Sequence, residues 1–277
     1  MGVGNLLARR RQSAILAEIR TIGSVRVAEL SARYRVSEMT IRRDLAALAR
    51  QGLVEKVHGG ALLSGSGTGA GRAVEPGFEA KSSWAPAAKE EIARAAAALA
   101  VPGSAVALSA GTTTRALARH LAGVPRLTVV TNSVRVAEAL EEEAGRRPEG
   151  DGATVVLTGG VRTPSDALVG PIAELALHEL HVDLLFTGCH GIDPSAGLTT
   201  PNLAEAETNR ALVGCAGRVV AVADHSKWGV VSLSSFVSLS GVDTLVTDAD
   251  LAEPARRAAR DHVRRLIVAD ADPARGG

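Results

Sequence analysis

From Pro86 onward the chain alternates short apolar runs with longer stretches of helical periodicity, and this order restricts the fold more than any other feature of the sequence. Ala105-Val106-Ala107-Leu108 is apolar without interruption, the pattern of a strand covered on both faces. Runs of this kind fall at 104–109, 127–131, 153–158, 183–188, 218–223, 243–247 and 264–268. Helical stretches lie at 89–100, 112–121, 134–144, 171–180, 203–216 and 253–262. Strands separated by helices imply crossover connections, so the expected fold class is α/β, a mostly parallel sheet with helices on both faces. Only six aromatics occur in 277 residues. The cores must therefore be built from Ala, Val, Leu and Ile, and a module that stacks RNA bases on exposed rings is disfavoured.

The first fifty residues follow a different rule. Three short helices are expected. The first spans 6–22, carries Leu7, Ile15, Leu16 and Ile19, and is stopped by Gly23. The second spans 27–34, with Val27, Leu30 and Tyr34 at helical spacing. After the turn Arg35-Val36, the Ser37 hydroxyl can cap a third helix that runs to about Arg50, with Ile41, Leu45 and Leu48 as its apolar stripe and Gly52 as its stop. Residues 53–63 read as two short strands around a turn. Residues 1–63 hold 11 Lys/Arg against 5 Asp/Glu, a net +6; the other 214 hold 20 against 25, a net −5. A basic module joined to a mildly acidic body suggests a polyanionic partner.

Helix, turn, helix and hairpin is the layout of a winged helix-turn-helix, in which the third helix enters the major groove of duplex DNA. Ser37, Glu38, Thr40, Arg42 and Arg43 are the candidate contacts of that helix, although they cannot all face DNA at once. Arginine can donate two parallel bonds to guanine or bond a phosphate. Lys56 and His58 sit on the hairpin, where backbone contacts are expected. The same layout also suits a three-helix scaffold that binds another protein. The small, polar stretch SGSGTGAGRAVE at 64–75 reads as a linker rather than a nucleotide loop, because no helix follows it directly. The expected domains are thus 1–63, a linker over 64–85, and 86–277.

Two ordered sets of motifs give the chain a family resemblance. Ser37-Glu38-Met39-Thr40-Ile41-Arg42-Arg43-Asp44-Leu45, Gly52-Leu53-Val54 and Val57-His58-Gly59-Gly60-Ala61 form the first. Ala110-Gly111-Thr112-Thr113-Thr114, Val130-Thr131-Asn132-Ser133, Leu157-Thr158-Gly159-Gly160, Leu168-Val169-Gly170-Pro171, Gly191-Ile192-Asp193 and Gly197-Leu198-Thr199-Thr200 form the second. Over about residues 6–268 the sequence resembles the DeoR family of bacterial transcriptional regulators. The resemblance implies a repressor, less often an activator. It also implies a Rossmann-like C-terminal domain, similar to sugar-phosphate isomerases, that senses a phosphorylated sugar or related metabolite.

The chemistry of the strand ends supports a pocket for a small anion. Gly111, Thr112, Thr113 and Thr114 open a helix directly after the strand that ends near Ser109; unpaired N–H groups, close backbone approach and hydroxyl donors suit a phosphate. Asn132 and Ser133, Gly159 and Gly160, and His190, Gly191 and Asp193 follow other strand ends, as does Lys227. Ligands of open α/β sheets bind outside the carboxyl ends of the strands, so these residues are expected to converge. Each could equally serve only its own loop. The resemblance also implies departures: family members usually carry Asp where Ser109 and His190 stand and Lys where Asn209 stands. These departures fit either an effector that is unusual or weakly bound, or lineage drift with the same ligand class.

Two other classes compete. An isomerase would need an acid/base carboxylate and a group stabilising an enediolate, for which Asp193, Glu205, Glu207, Asp224 and Lys227 are available. A zinc site would use His178 and His181, at i and i+3, with Cys189 and His190. The linked DNA module favours sensing over turnover. No metal and no cofactor is expected. The expected partners are double-stranded operator DNA, a small phosphorylated metabolite and further copies of the chain. Two cysteines are too few for a disulfide framework, no run of 18 apolar residues could span a bilayer, and Arg9-Arg10-Arg11 interrupts any signal-like stretch. No membrane association and a cytoplasmic location are expected.

Overall fold

The computed structural model describes residues 11–16, 18–19, 24–50, 53–57, 59–63, 78–82, 84–146 and 152–269. The chain divides into two compact units, Met1–Pro76 and Gly77–Gly277. Gly23, Gly52 and the stretch 64–75 lie outside the described residues.

In the first unit, helical residues 11–16 and 18–19 (α1) precede strand β1 (Ser24–Arg26), α2 (Val27–Tyr34), α3 (Glu38–Arg50), β2 (Val54–Val57) and β3 (Gly60–Leu63). The apolar stripe of each helix meets in one core of Ile15, Ile19, Leu30, Ile41, Leu45 and Leu48, closed by Val25, Val54 and Ala61 from the strands. The wing has three strands in the order β1-β3-β2, one more than the two expected. Residues 24–26 were assigned to no element because three residues carry no readable period. Gly60 explains how the third strand fits: a Cβ there would lie 2.1 Å from the Val25 carbonyl oxygen.

In the second unit, seven strands form one fully parallel sheet. They are β4 (Ala105–Leu108), β5 (Thr128–Thr131), β6 (Thr154–Leu157), β9 (Leu184–Thr187), β12 (Val219–Val222), β14 (Thr244–Asp248) and β15 (Arg265–Ala269), in the order β15-β14-β12-β9-β4-β5-β6. These are the seven expected runs. Alternate side chains serve alternate faces. Val106, Leu108, Phe186, Val220 and Val222 pack with α5 (Pro86–Ala97), α6 (Thr112–Leu121) and α7 (Val134–Ala144). Ala107, Leu185, Val219 and Ala221 pack on the other face with α8 (Pro171–His178), α9 (Leu203–Gly214) and α10 (Glu253–Arg260). Helix α5 starts three residues before the expected Lys89, because Pro86 fits the first helical position, where its missing N–H costs nothing.

Three features were not expected. A short helix, α4 (Phe78–Ser82), falls inside the span read as linker. A two-stranded ribbon pairs β7 (Val161–Arg162) with β8 (Leu168–Val169). An antiparallel sheet joins β10 (Gly191–Asp193), β11 (Gly197–Thr200) and β13 (Ser234–Val237). The order in which strands are added reverses about β4: β5 and β6 lie to one side, β9 and β12 to the other, all parallel. The carboxyl ends of β4 and β9 therefore border a topological switch point, where the connecting loops diverge and leave a crevice.

Candidate functional site

In the first unit, Ser37 caps α3 as expected. Its hydroxyl accepts from the Thr40 N–H at 3.3 Å, and its carbonyl accepts from Thr40 and Ile41. Glu38, Met39, Arg42 and Arg43 are exposed and share one face, opposite the buried Ile41, Leu45 and Leu48. Thr40 is half-buried at the edge of that face, with its hydroxyl 2.9 Å from that of Ser37. Arg42 pairs with Glu38 at 3.0 Å, one helical turn back, so Glu38 orients a neighbouring cation. Asp44, on the inner side, is buried and accepts from Arg11 at 2.5 Å and Gln12 at 2.8 Å, which ties α1 to α3. Met39 is 65% exposed amid these cations; an exposed, unbranched apolar side chain there was not singled out from the sequence. Lys56 lies on β2, opposite Ala61 on β3; its side chain, and all of His58, lie outside the described residues.

In the second unit, a crevice opens at the switch point. Gly111, Thr112 and Thr113 line it from the start of α6, Gly188, Cys189 and His190 from the end of β9, and Lys227 from the loop after β12. Five residues singled out from the sequence thus converge: Gly111, Thr112, Thr113, His190 and Lys227. Others that were expected there serve as scaffolding. The Ser109 hydroxyl accepts from the Gly188 N–H at 3.0 Å and from Thr187, joining the ends of β4 and β9 beneath the crevice. Thr114 is fully buried and donates to the Gly111 carbonyl. Asn132 accepts from the Ala110 N–H at 2.9 Å and donates to the Leu168 carbonyl. Ser133 caps α7, accepting from the Val136 N–H. Gly160 and Gly191 permit close backbone packing: a Cβ would lie 2.7 Å from the Val169 oxygen in the first case and 2.1 Å from the Val230 oxygen in the second. Gly159 adopts a left-handed φ of 75° beside Ile172. Asp193 turns back to accept from the Ser195 and Ala196 N–H groups. None of these eight lines the crevice.

The crevice also gathers residues that the sequence reading did not assign to ligand contact, Phe78, Lys81, Lys89, Ser165 and Thr200 among them. Glu205 and Asn209, on successive turns of α9, line it as well. The Glu205 carboxylate accepts from the Thr163 and Ser165 hydroxyls of the β7–β8 connection and from the Thr200 hydroxyl at the end of β11. Lys89 is only 5% exposed and donates to the Lys81 carbonyl at 2.6 Å. Burial lowers its pKa to about 8; Asp224 works against that fall, and Lys227 and Lys81 add to it. Lys227 lies 5.0 Å from the centre of the Trp84 ring. One oxygen of Asp224 accepts from the Ser226 N–H at 3.0 Å and from its hydroxyl, while the other is buried with no hydrogen-bond partner. Burial pushes the Cys189 pKa up to about 12, which favours the thiol over the thiolate.

The zinc arrangement is not formed. His178 and His181 border a separate depression between α8 and α9 with Glu174, Glu207 and Arg210, whereas Cys189 and His190 line the crevice. Among the described residues, only His225, Asp248 and Asp250 bring three such ligand atoms close together. There the Asp248 carboxylate already accepts from the His225 backbone N–H at 2.7 Å and meets its ring. Of the five groups considered for isomerase chemistry, only Glu205 and Lys227 line the crevice.

Comparisons with known proteins agree with this division. The DeoR-like helix-turn-helix domain matches residues 11–66 and the DeoR C terminal sensor domain matches 84–249. The transcriptional regulator GlpR of Haloferax volcanii is 38% identical, over 89% of this chain and 92% of its own. The regulator GolR of Listeria innocua is 35% identical over 86% and 89%. The glycerol-3-phosphate regulon repressor of Escherichia coli K12 is 32% identical over 87% and 90%. Among solved structures, ribose 5-phosphate isomerase A of Methanocaldococcus jannaschii covers 50% of this chain and 53% of its own, at 17% identity and a TM-score of 0.37. With both family models matched in order along one chain, and relatives aligned over nearly its whole length, the protein belongs to the DeoR family of DNA-binding transcriptional regulators.

Proposed function

We propose that the protein represses an operon of carbohydrate or related metabolism, and that a phosphorylated sugar or similar small anion in the switch-point crevice controls it. The observation that carries this reading is the gathering of three lysines, Lys81, Lys89 and Lys227, around the N-terminal turn of α6. Helix N-termini and ammonium groups both favour anions, and Thr112 and Thr113 add hydroxyl donors. Glu205 and Asn209, which also line the crevice, offer an acceptor and an amide to sugar hydroxyls. The Ser109 departure lies beneath the crevice and leaves the ligand class unchanged, whereas His190 and Asn209 lie on its wall and tune which sugar is accepted.

On the DNA side, Arg42, Arg43 and Met39 present the reading face of α3, Ser37 and Thr40 set its start, and Lys56 and His58 contact phosphates. Two-fold related half-sites call for at least two copies of the chain. The relatives named for repression support the sign of regulation. No catalytic role is assigned: Glu205 is held by three hydroxyls, and among the described residues no second carboxylate lines the crevice to share proton transfer. In this reading the protein acts in the cytoplasm; no described helix is long and apolar enough to cross a membrane.

The test uses full-length protein and a duplex from its own promoter region. Fluorescence anisotropy should show tight, salt-dependent binding, weakened by at least one phosphate ester among glycerol 3-phosphate, glucose 6-phosphate and fructose 1-phosphate. Binding no tighter than to random duplex, or indifference to every phosphate ester together with conversion of one of them, would reject the reading.

A further inference from the structure

We infer that α4, the first described element after the boundary between the two units, is itself a wall of the anion crevice, so that a phosphate is held jointly by Lys81 of that helix and by Lys89 and Lys227 of the α/β body. This rests on the crevice being the effector site and adds the route by which occupancy reaches the chain segment leading from the DNA-binding unit. The units divide at Pro76 and Gly77, and α4 begins at Phe78. Phe78 and Lys81 both line the crevice.

A five-residue helix has no stability of its own and depends on what it docks against. Three attachments hold α4 on the body. The Phe78 side chain is buried, with the Arg135 guanidinium 5.6 Å from its ring centre. The Phe78 N–H donates to the Pro164 carbonyl at 3.4 Å. The Lys89 ammonium donates to the Lys81 carbonyl at 2.6 Å. The last is the strongest by geometry, and it comes from a group that also faces the crevice.

Electrostatics gives the attachment its dependence on a ligand. Lys81, Lys89 and Lys227 bring like charges to one wall, and both neighbours disfavour the charged form of Lys89. Asp224 opposes them from the carboxyl end of β12. A phosphate dianion between the three ammonium groups replaces mutual repulsion with bridging, and one of the bridged groups belongs to α4. The anion thus binds the docked arrangement of α4 better than an undocked one, and by linkage it must favour docking to the same degree.

The experiment is hydrogen exchange on the full-length protein with glycerol 3-phosphate, glucose 6-phosphate, fructose 1-phosphate and inorganic phosphate as probes. The expected result is slower exchange at residues 110–114 and 188–190 and, at the same ligand concentrations, slower exchange at 78–82. Lys81→Gln should weaken binding by about tenfold or more, the scale of one charge-assisted hydrogen bond, and abolish the slowing at 78–82 while saturating ligand still protects 110–114. Lys81→Arg should restore both. Protection at 110–114 with no change at 78–82, and unaltered affinity in Lys81→Gln, would overturn the inference and leave the effector site standing. Protection at neither place by any probe would remove the effector site and this inference together. The wild-type exchange pattern decides the matter even if a variant misfolds.

Discussion

Lys89 shows how one buried cation shapes the behaviour of the sensor. Its ammonium is stable below pH about 8, where an ordinary lysine holds its proton to 10.5. Below pH 8 the folded and unfolded chains are both charged at this position, and the full cost of burial is borne. As pH rises from 8 towards 10.5 the folded chain has already released the proton, so this contribution to stability grows. On the proposed reading of the crevice, anion affinity follows the opposite course, because the charged form is the one that attracts a phosphate. Between pH 7 and pH 9, where a phosphate monoester stays dianionic, effector affinity should fall about tenfold, the scale of losing one charge-assisted bond; titration calorimetry at the two pH values checks this, and Lys89→Met should bind weakly with no such slope. On the other unit, Arg43→Ala should weaken operator binding by about 1–3 kcal/mol if Arg43 reads a base, or flatten the salt dependence by about one phosphate contact if it meets the backbone. Salt-titrated anisotropy separates the two outcomes, and no change in either would remove Arg43 from the interface. Which residues reach the crevice was only partly legible in the sequence. Gly111, Thr112 and Thr113 were readable because strand, glycine and hydroxyls are consecutive. Lys81 and Lys89 were not, because a lysine near the start of a helix looks like any solvated charge until tertiary packing buries it.

The seven parallel strands were legible because a strand covered on both faces has to be apolar at every position, and that composition stands out between helices. The small sheets were not. β10 and β11 are three and four residues long and each begins with a glycine, Gly191 and Gly197, a residue common in turns, and their pairing is set by backbone approach that no period reveals. α4 was hidden for a related reason: five residues beside a Gly/Ser-rich stretch carry less than two turns of pattern. Two substitutions test these elements. Ser37→Ala removes the cap of α3 and should cost the first unit about 1 kcal/mol in denaturant unfolding, with DNA affinity falling in parallel as the first turn frays. Gly191→Ala puts a methyl 2.1 Å from the Val230 carbonyl, where the backbone has to move; a loss of about 3 kcal/mol in the second unit is expected, and an unchanged melting point would show that the close approach is not tight in solution.

The whole molecule joins a basic head with its own small core to a body with two core layers around one sheet. Separate cores imply separate unfolding. Differential scanning calorimetry should resolve two transitions, and a phosphate ester at 100 times its Kd should raise only that of the second unit, by about 2.7 kcal/mol of added stability. An equal rise in both would mean that the units unfold as one. The position of the crevice at the switch point has one more consequence. Its contacts come from strand ends, from the loops that follow them and from helices outside the sheet, while the strands themselves carry the layered packing. On the proposed reading, exchanging the 188–190 loop and the Glu205–Asn209 turn between relatives should therefore rewrite inducer preference. The barrel-free scaffold underneath would not notice, and such chimeras should answer to the donor's metabolite while keeping the recipient's promoter.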